Sequence, residues 1–153
     1  MCPVVSKLDL AYLAGVLDSD GSISIIRIGA SKGRPTDWAI TVSVSQVTLG
    51  AIGHFHKLFG GGLTCGRHYA LWRWQVSYVK AVDVLRLVEP YLRIKREAAG
   101  LAIAFHEARQ KSMRRSKLTE ADVQFREDAA AAVRAANELV GRVKPSSIHV
   151  PSR

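Results

Sequence analysis

Residues 13–21 read Leu-Ala-Gly-Val-Leu-Asp-Ser-Asp-Gly, an apolar run that passes directly into a pair of carboxylates. Upstream of this run, Ser6 and Asp9 have the spacing of a capping box, which predicts that a helix begins at Lys7. Downstream, residues 22–28 start with alternating serine and isoleucine, the pattern of a half-buried strand. The run is therefore predicted to end a helix and to lead straight into a sheet.

The predicted helix is apolar on every face, so we expect it to be buried all round. Ala11 and Gly15 lie one helical turn apart, with Ala14 beside them. This stripe has almost no side-chain bulk, so a second backbone could pack closely against it. We interpret it as a helix-packing surface.

The two carboxylates stand at an unusual place for acidic residues. Asp18 and Asp20 fall at the C-terminal end of the helix, where the helix dipole and the unpaired carbonyl groups disfavour negative charge. Clustered oxygen ligands there would suit a hard divalent cation such as Mg²⁺. A tight turn is the alternative, and from Asp-Ser-Asp-Gly alone it is the favoured interpretation. A calcium loop is excluded, because Val16 and Arg27 would fall at its first and last ligand positions.

The whole stretch resembles the signature of the LAGLIDADG homing endonucleases, with six of its nine residues identical. In that family two such helices pack side by side, and the last aspartate of each binds the catalytic metal with the carbonyl of the preceding residue. The resemblance therefore implies that Asp20 and the Ser19 carbonyl bind metal. It implies Mg²⁺ or Mn²⁺ as the catalytic ion, with Ca²⁺ supporting binding without cleavage, and no small-molecule cofactor.

Composition points to a nucleic-acid partner. The chain has 153 residues, with 22 Lys and Arg against 13 Asp and Glu, for a net charge of +9. A surface of that charge favours a polyanion. A membrane partner is not expected, because no apolar run approaches the ~18 residues that a span needs. The N-terminal residues contain no secretory signal, so we expect a cytoplasmic or organellar protein. Cys2 and Cys65 are too few for a disulfide framework or a zinc site.

The remaining sequence alternates helices and hairpins, which predicts an α+β fold with an antiparallel four-stranded, saddle-shaped sheet. Thr119 is a good N-cap for the last helix. The predicted strands are 22–28, 38–46, 63–67 and 71–78, and the predicted helices are 7 to about 20, 48–59, 79–89, 96–111 and 119–141. The order resembles the α-β-β-α-β-β-α arrangement of the LAGLIDADG fold with helical additions at the C-terminal end. We interpret residues 1–153 as one domain, with a core of about 7–110 and a helical extension and basic tail from about 111 to 153.

The sequence holds one copy of the signature, and family members with one copy act as homodimers. The resemblance therefore implies a two-fold interface. The residues assigned to it are Ala11, Ala14, Gly15 and Asp18.

Two further residues are candidates for catalysis. Gln46 ends a predicted strand where a core residue would be expected, and it resembles the polar residue that can position water near the metals in the family. Lys95 resembles a family lysine that reaches the active site, where a cation can stabilise developing charge. The alternatives are an exposed strand-end glutamine and a solvated lysine at a helix start. The family often has a basic residue a few positions after the glutamine, and this chain lacks it; Arg93 is a substitute.

Polar and basic side chains on the open sheet face and in the loops are the candidates for DNA contacts. Arginine can read guanine and glutamine can read adenine in the major groove, whereas lysines and arginines in loops contact phosphates. For any single exposed Arg or Lys, a solvated charge is the plainer interpretation. The candidates are Arg27, Lys32, Arg34, Thr41, Ser43, Arg67, Arg73, Gln75, Arg114, Arg115, Lys117, Arg142 and Lys144.

The resemblance implies a homodimeric, intron-encoded endonuclease that hydrolyses both strands of a long, near-palindromic double-stranded DNA site in a metal-dependent reaction. The alternative is a DNA-binding regulator or RNA intron maturase of the same fold that does not cleave DNA. A plain dimeric scaffold would leave the net charge of +9 unexplained.

Overall fold

The computed structural model describes residues 5–29, 36–67, 70–112 and 118–141. In chain order the elements are α1 (Lys7–Asp20), β1 (Gly21–Ile28), β2 (Asp37–Gln46), α2 (Leu49–Phe59), β3 (Gly62–Cys65), β4 (Trp72–Ser77), α3 (Val79–Val88), a 3₁₀ turn (Glu89–Tyr91), α4 (Arg96–Ser112) and α5 (Glu120–Gly141). The predicted α+β architecture and element order are confirmed. Among the described residues, no helix combines the length and apolarity needed to cross a membrane.

The four strands form one antiparallel sheet in the order β1-β2-β4-β3. Its register places Ile23, Val42 and Val76 side by side on one face, and all three are buried. Ser43 pairs with Gln75 on the opposite face. The sheet therefore has an apolar face and a polar face, as the alternation in β2 and β4 predicts.

The core lies between the apolar sheet face and the helices. The Phe55 ring of α2 packs on Trp74 of β4 with ring centroids 4.7 Å apart. The Trp74 indole N–H donates to the Gly60 carbonyl at 2.6 Å, so its polar atom is satisfied within the core. Gly61, at φ +97, follows directly, and a Cβ there would lie 2.8 Å from the Gln75 carbonyl. Glycine is therefore required where α2 turns into β3.

Helix α1 begins as predicted, because Ser6 and Asp9 form both hydrogen bonds of the capping box. The prediction that it is buried on every face is wrong. Leu8 is 83% exposed, and Tyr12 is 54% exposed although its ring meets that of His54 on α2 at 6.1 Å between centroids. The helix has apolar residues on every side, but only one side of it packs against the rest of the chain.

Helix α5 lies along the outer edge of β1. The Asn137 side-chain N–H₂ donates to the Ile23 carbonyl at 2.8 Å, and Val133 and Ala136 are buried against the core. Its N-terminus is capped by two reciprocal hydrogen bonds. The Thr119 N–H donates to the Asp122 carboxylate, and the Asp122 N–H donates to the Thr119 hydroxyl. The helical addition is thus packed on the sheet.

A partly buried charge cluster at the start of β2 joins α4 and α5, and no local sequence pattern indicates it. The Asp37 carboxylate accepts from Arg109 at 2.8 Å and from Arg126 at 3.4 Å. Arg126 also lies over the Trp38 ring, 5.5 Å from its centroid, and is only 7% exposed. Burial, with the nearby Arg109 charge, lowers the pKa of Arg126 from its usual value. The cluster holds both C-terminal helices to the sheet.

Candidate active site

Asp20 and Gln46 meet although they lie far apart in the sequence. Asp20 is the last residue of α1, and β1 starts at the next residue; β1 pairs with β2 so that Gly21 lies opposite Val44. Gln46, which ends β2, is thereby brought to the end of α1. Its side-chain N–H₂ donates to the Asp20 carboxylate at 2.7 Å.

Lys95 approaches the same place from the segment that precedes α4. Its ammonium donates to the Leu17 carbonyl at 3.0 Å and also to the Asp18 carbonyl. Burial lowers the pKa of Lys95, while the charges of Asp18 and Asp20 act in the opposite direction. The three predicted catalytic residues, Asp20, Gln46 and Lys95, are therefore assembled around the C-terminal end of α1.

The Asp18 carboxylate already has partners within its own chain. It accepts backbone N–H groups from Arg93 at 2.8 Å, Ile94 at 3.2 Å and Lys95 at 2.9 Å. These bonds anchor Asp18 to the segment before α4, while its assignment to the two-fold interface stays a prediction. No local sequence pattern signals this contact, because its partners are 75 or more residues away.

The structure corrects the assignment of Ala14 to the two-fold interface. This residue is fully buried in the core of its own chain, whereas Ala11 and Gly15 are exposed. The helical turn directs these positions to different sides of α1, so the stripe available to a partner consists of Ala11 and Gly15 with Leu8 and Tyr12.

The donors at the end of α1 suit a hard cation. They are the Asp20 carboxylate and the Ser19 main-chain carbonyl, both of them oxygens, which Mg²⁺ prefers. The Ser19 hydroxyl is directed back to the Val16 carbonyl at 3.1 Å, so only the Ser19 carbonyl remains as its candidate ligand. Within the described ranges, no three or more His, Cys, Asp or Glu are grouped to hold a metal.

The polar sheet face carries four of the predicted DNA contacts, Thr41, Ser43, Arg73 and Gln75, as the strand register requires. Thr41 and Ser43 are each only 8% exposed. The Thr41 hydroxyl bonds Ser24 at 2.8 Å, and Arg73 donates to Ser43 at 3.4 Å. Arg73 is exposed and Gln75 is half-buried, so these two are the better placed to touch a ligand.

Arg27 does not belong to this surface. It pairs with Trp38 across the β1–β2 ladder, on the face that also carries Ile23 and Ile25. Its guanidinium lies over the Trp38 ring and forms an ion pair of 3.4 Å with Glu127 of α5. The predicted DNA contact at Arg27 is therefore corrected to a contact with α5.

Of the remaining DNA candidates, Arg67 lies in the described part of the chain. Arg67 is exposed but follows the end of β3, so the sheet register does not assign it to a face. The other candidates fall outside the described residues: Lys32, Arg34, Arg114, Arg115, Lys117, Arg142 and Lys144.

These observations define an α+β domain in which a helix end, a strand end and a partly buried lysine converge beside an open antiparallel sheet. No protein-family model and no curated protein matches the sequence. Solved structures do match. The homing endonuclease I-CvuI, in complex with DNA, has a TM-score of 0.66 at 18% identity over 90% of this chain and 98% of its own. The archaeal intron-encoded homing endonuclease I-Vdi141I, also complexed with DNA, has a TM-score of 0.69 at 12% identity over 85% of this chain and 84% of its own.

A third match differs in length. The LAGLIDADG homing endonuclease I-GzeII, in complex with its DNA target, has a TM-score of 0.66 at 12% identity; the match covers 94% of this chain but 54% of that one. At such low identities the likeness concerns the fold. The chain has the LAGLIDADG homing endonuclease fold.

Proposed function

We propose that this protein is a metal-dependent DNA endonuclease that acts as a homodimer and cuts both strands of a long, near-palindromic site. The observation that carries the proposal is the convergence of Asp20, Gln46 and Lys95 at the end of α1. These residues come from three separate parts of the chain, and a purely structural helix end does not require a carboxylate, an amide and an ammonium together.

The homodimer is supported by the uncovered side of α1. Leu8 and Tyr12 are large, apolar and exposed, and a Cβ on Gly15 would meet nothing within 4 Å. A second copy of α1 packed there about a two-fold axis would cover this side and bring a second Asp20 to the first. The lengths agree with that arrangement, since the match spans nearly all of I-CvuI but about half of I-GzeII.

Each residue of the site has a chemical task in this proposal. Asp20 and main-chain carbonyls would hold the divalent ion, which when bound activates water and stabilises charge on the phosphate. Gln46 fixes the orientation of the Asp20 carboxylate, and its amide oxygen remains available to accept a hydrogen bond from the attacking water. The Lys95 ammonium compensates the negative end of α1 and can stabilise charge developing on the phosphate.

The polar face of the sheet supports DNA as the substrate. It is open and carries Arg73 and Gln75, side chains that recognise base edges. The net charge of +9 per chain would attract the phosphate backbone. Two such sheets related by a two-fold axis would read two half-sites, with a target of about two helical turns.

The test is a cleavage selection on a plasmid library that carries a randomised cassette, with Mg²⁺ or with EDTA. Recovery of linear plasmids cut at a near-palindromic sequence with Mg²⁺ alone supports the proposal. If the protein selects a duplex sequence tightly but leaves it uncut with Mg²⁺ and Mn²⁺, the DNA-binding regulator replaces the endonuclease. If the protein selects no duplex but binds structured intron RNA, the RNA maturase replaces the endonuclease as the proposed function.

A further inference from the structure

The Asp18 carboxylate is the main polar anchor of the segment before α4. Three consecutive backbone N–H groups, those of Arg93, Ile94 and Lys95, donate to its two oxygens at 2.8–3.2 Å. Arg93 and Ile94 themselves are exposed, whereas Leu92 is buried at the start of the segment. The path of the chain between Leu92 and α4 is thus fixed by one side chain that belongs to another helix.

Helix electrostatics explain why an acidic residue is tolerated here. The C-terminal end of α1 disfavours a carboxylate at Asp18, but the N-terminal end of α4 favours one. Lys95 accepts the first helical bond of α4, from the Ala99 N–H at 3.0 Å, so the N–H groups of 93–95 stand at that positive end. Asp18 therefore supplies acceptors to the start of α4 from a different element.

The contact is reciprocal. While the Asp18 carboxylate holds the Lys95 backbone, the Lys95 ammonium donates to the carbonyls of Leu17 and Asp18. Both side chains are partly buried, so the ammonium has a restricted position next to Asp20.

We propose that Asp18 is a positioning residue, which seats the Lys95 ammonium beside Asp20 for phosphodiester cleavage. This inference rests on the proposed nuclease function for its kinetic consequence, and on the hydrogen bonds of the chain for its structural part. Asp18 acts through Lys95 and touches neither substrate nor metal. An active site built from α1 and β2 is thereby made dependent on the docking of α4.

The kinetic test compares Asp18→Asn with Asp83→Asn, which removes the same charge from an exposed position on α3. With Asp18→Asn, affinity for the selected DNA in Ca²⁺ should change less than about twofold, while the single-turnover cleavage rate at saturating DNA falls about 100-fold. Asp83→Asn should leave both unchanged. An equal fall in affinity and rate would overturn the positioning role.

A double-mutant cycle with Lys95→Met shows whether Asp18 works through the lysine. In the Lys95→Met background, Asp18→Asn should reduce the cleavage rate by less than about threefold further, because the two residues act as a unit. A further loss as large as that in the native background would mean that Asp18 acts independently, and would overturn the proposal.

Amide hydrogen exchange tests the same contact without DNA or activity. The N–H groups of residues 93–95 should be protected in the native chain and in Lys95→Met, and should lose protection in Asp18→Asn. Asp18→Glu, which keeps the charge but is longer, should fold and give intermediate protection if Asp18→Asn does not fold. Protection that survives Asp18→Asn overturns the proposal. If the native chain cleaves no DNA, the proposed function fails, whereas exchange still decides whether Asp18 anchors the segment.

Discussion

The side-chain amide of Gln46 donates to the Asp20 carboxylate across 2.7 Å, joining the end of β2 to the end of α1. Because a carboxylate can only accept, this bond fixes which end of the amide faces Asp20. The amide oxygen is then directed to other donors, such as a water. One hydrogen bond therefore gives both residues a defined orientation before any substrate binds.

Asp20→Asn should abolish cleavage and preserve DNA binding, because binding depends on the sheet while the ion is held by the carboxylate. The measurement is single-turnover cleavage with Mg²⁺ beside affinity with Ca²⁺. Asp128→Asn, on α5, is the charge-matched control and should cleave normally. If Asp20→Asn nicks DNA at the native rate, the assignment of Asp20 to the metal site is wrong.

Gly15→Leu should abolish dimer formation without unfolding the chain. A Cβ at Gly15 would meet no described atom within 4 Å outside the backbone of its own helix, so leucine should clash only with the proposed partner helix. Helix propensity alone would stabilise α1 by about 0.8 kcal/mol. Gly100→Leu, at a second open helical glycine on α4, is the control. Sedimentation equilibrium measures assembly. A native chain that is monomeric at micromolar concentration would contradict the dimer.

Arg73→Ala should reduce DNA affinity by ~1–3 kcal/mol and relax the preference for one base in each half-site. The guanidinium is exposed on the polar sheet face, where its 3.4 Å bond to Ser43 can be exchanged for a base edge. Arg86→Ala removes an arginine that pairs with Glu107 on the helical side and should leave every base preference intact. Binding-site selection on both variants decides whether the polar face reads sequence.

Asp37→Ala should destabilise the fold by about 1–3 kcal/mol, because Arg126, whose side chain is 8% exposed, loses its carboxylate partner while it stays buried. The change should also loosen α5, since Arg126 belongs to that helix. Urea unfolding measures the stability, with Asp83→Asn as control. A loss below about 0.5 kcal/mol, which is the range of ordinary surface substitutions, would show that the cluster is dispensable.

Asp9 should make stability depend on pH in the acid range. Hydrogen bonds from Ser6, then from His54, hold the pKa of Asp9 below its ordinary value of 3.8. A carboxylate whose pKa is lower in the folded state stabilises the fold above the unfolded-state pKa, and that contribution is lost as the pH falls through the folded value. The difference in unfolding free energy between the native chain and Asp9→Asn should therefore be constant above pH ~5 and should disappear on acidification. A difference that persists at the lowest pH would exclude a contribution from the charge.

The sequence was sufficient for the order of elements because each start or end has a local chemical signal. Ser6 with Asp9 and Thr119 with Asp122 both form the caps that their spacing predicts. The site residues Asp20, Gln46 and Lys95 came from the resemblance to a family motif, and the chain brings them together.

Two kinds of information could not be obtained from the sequence. One is the contacts between residues far apart in the chain, and the other is which face of a strand or helix is covered by another element. The bonds of Asp18 to residues 93–95 were not foreseen, because these partners lie more than 70 residues away. Arg27 was misassigned because its strand has apolar residues on both faces, and only the packing of α5 shows which face carries the arginine. Arg126 lies in an Ala-rich helix and looks like a solvated charge until Trp38 and Asp37 surround it.

The sheet has two edges, and they are protected against aggregation in different ways. An exposed strand edge can recruit a strand from another molecule and start a fibre. At β3 the edge strand has four residues, too short to template much pairing. At β1 the edge has eight residues, and α5 lies against it with Asn137 bonded to the Ile23 carbonyl. The C-terminal helix thus shields the longer of the two edges, and a strand of another molecule could pair there only after α5 had been displaced.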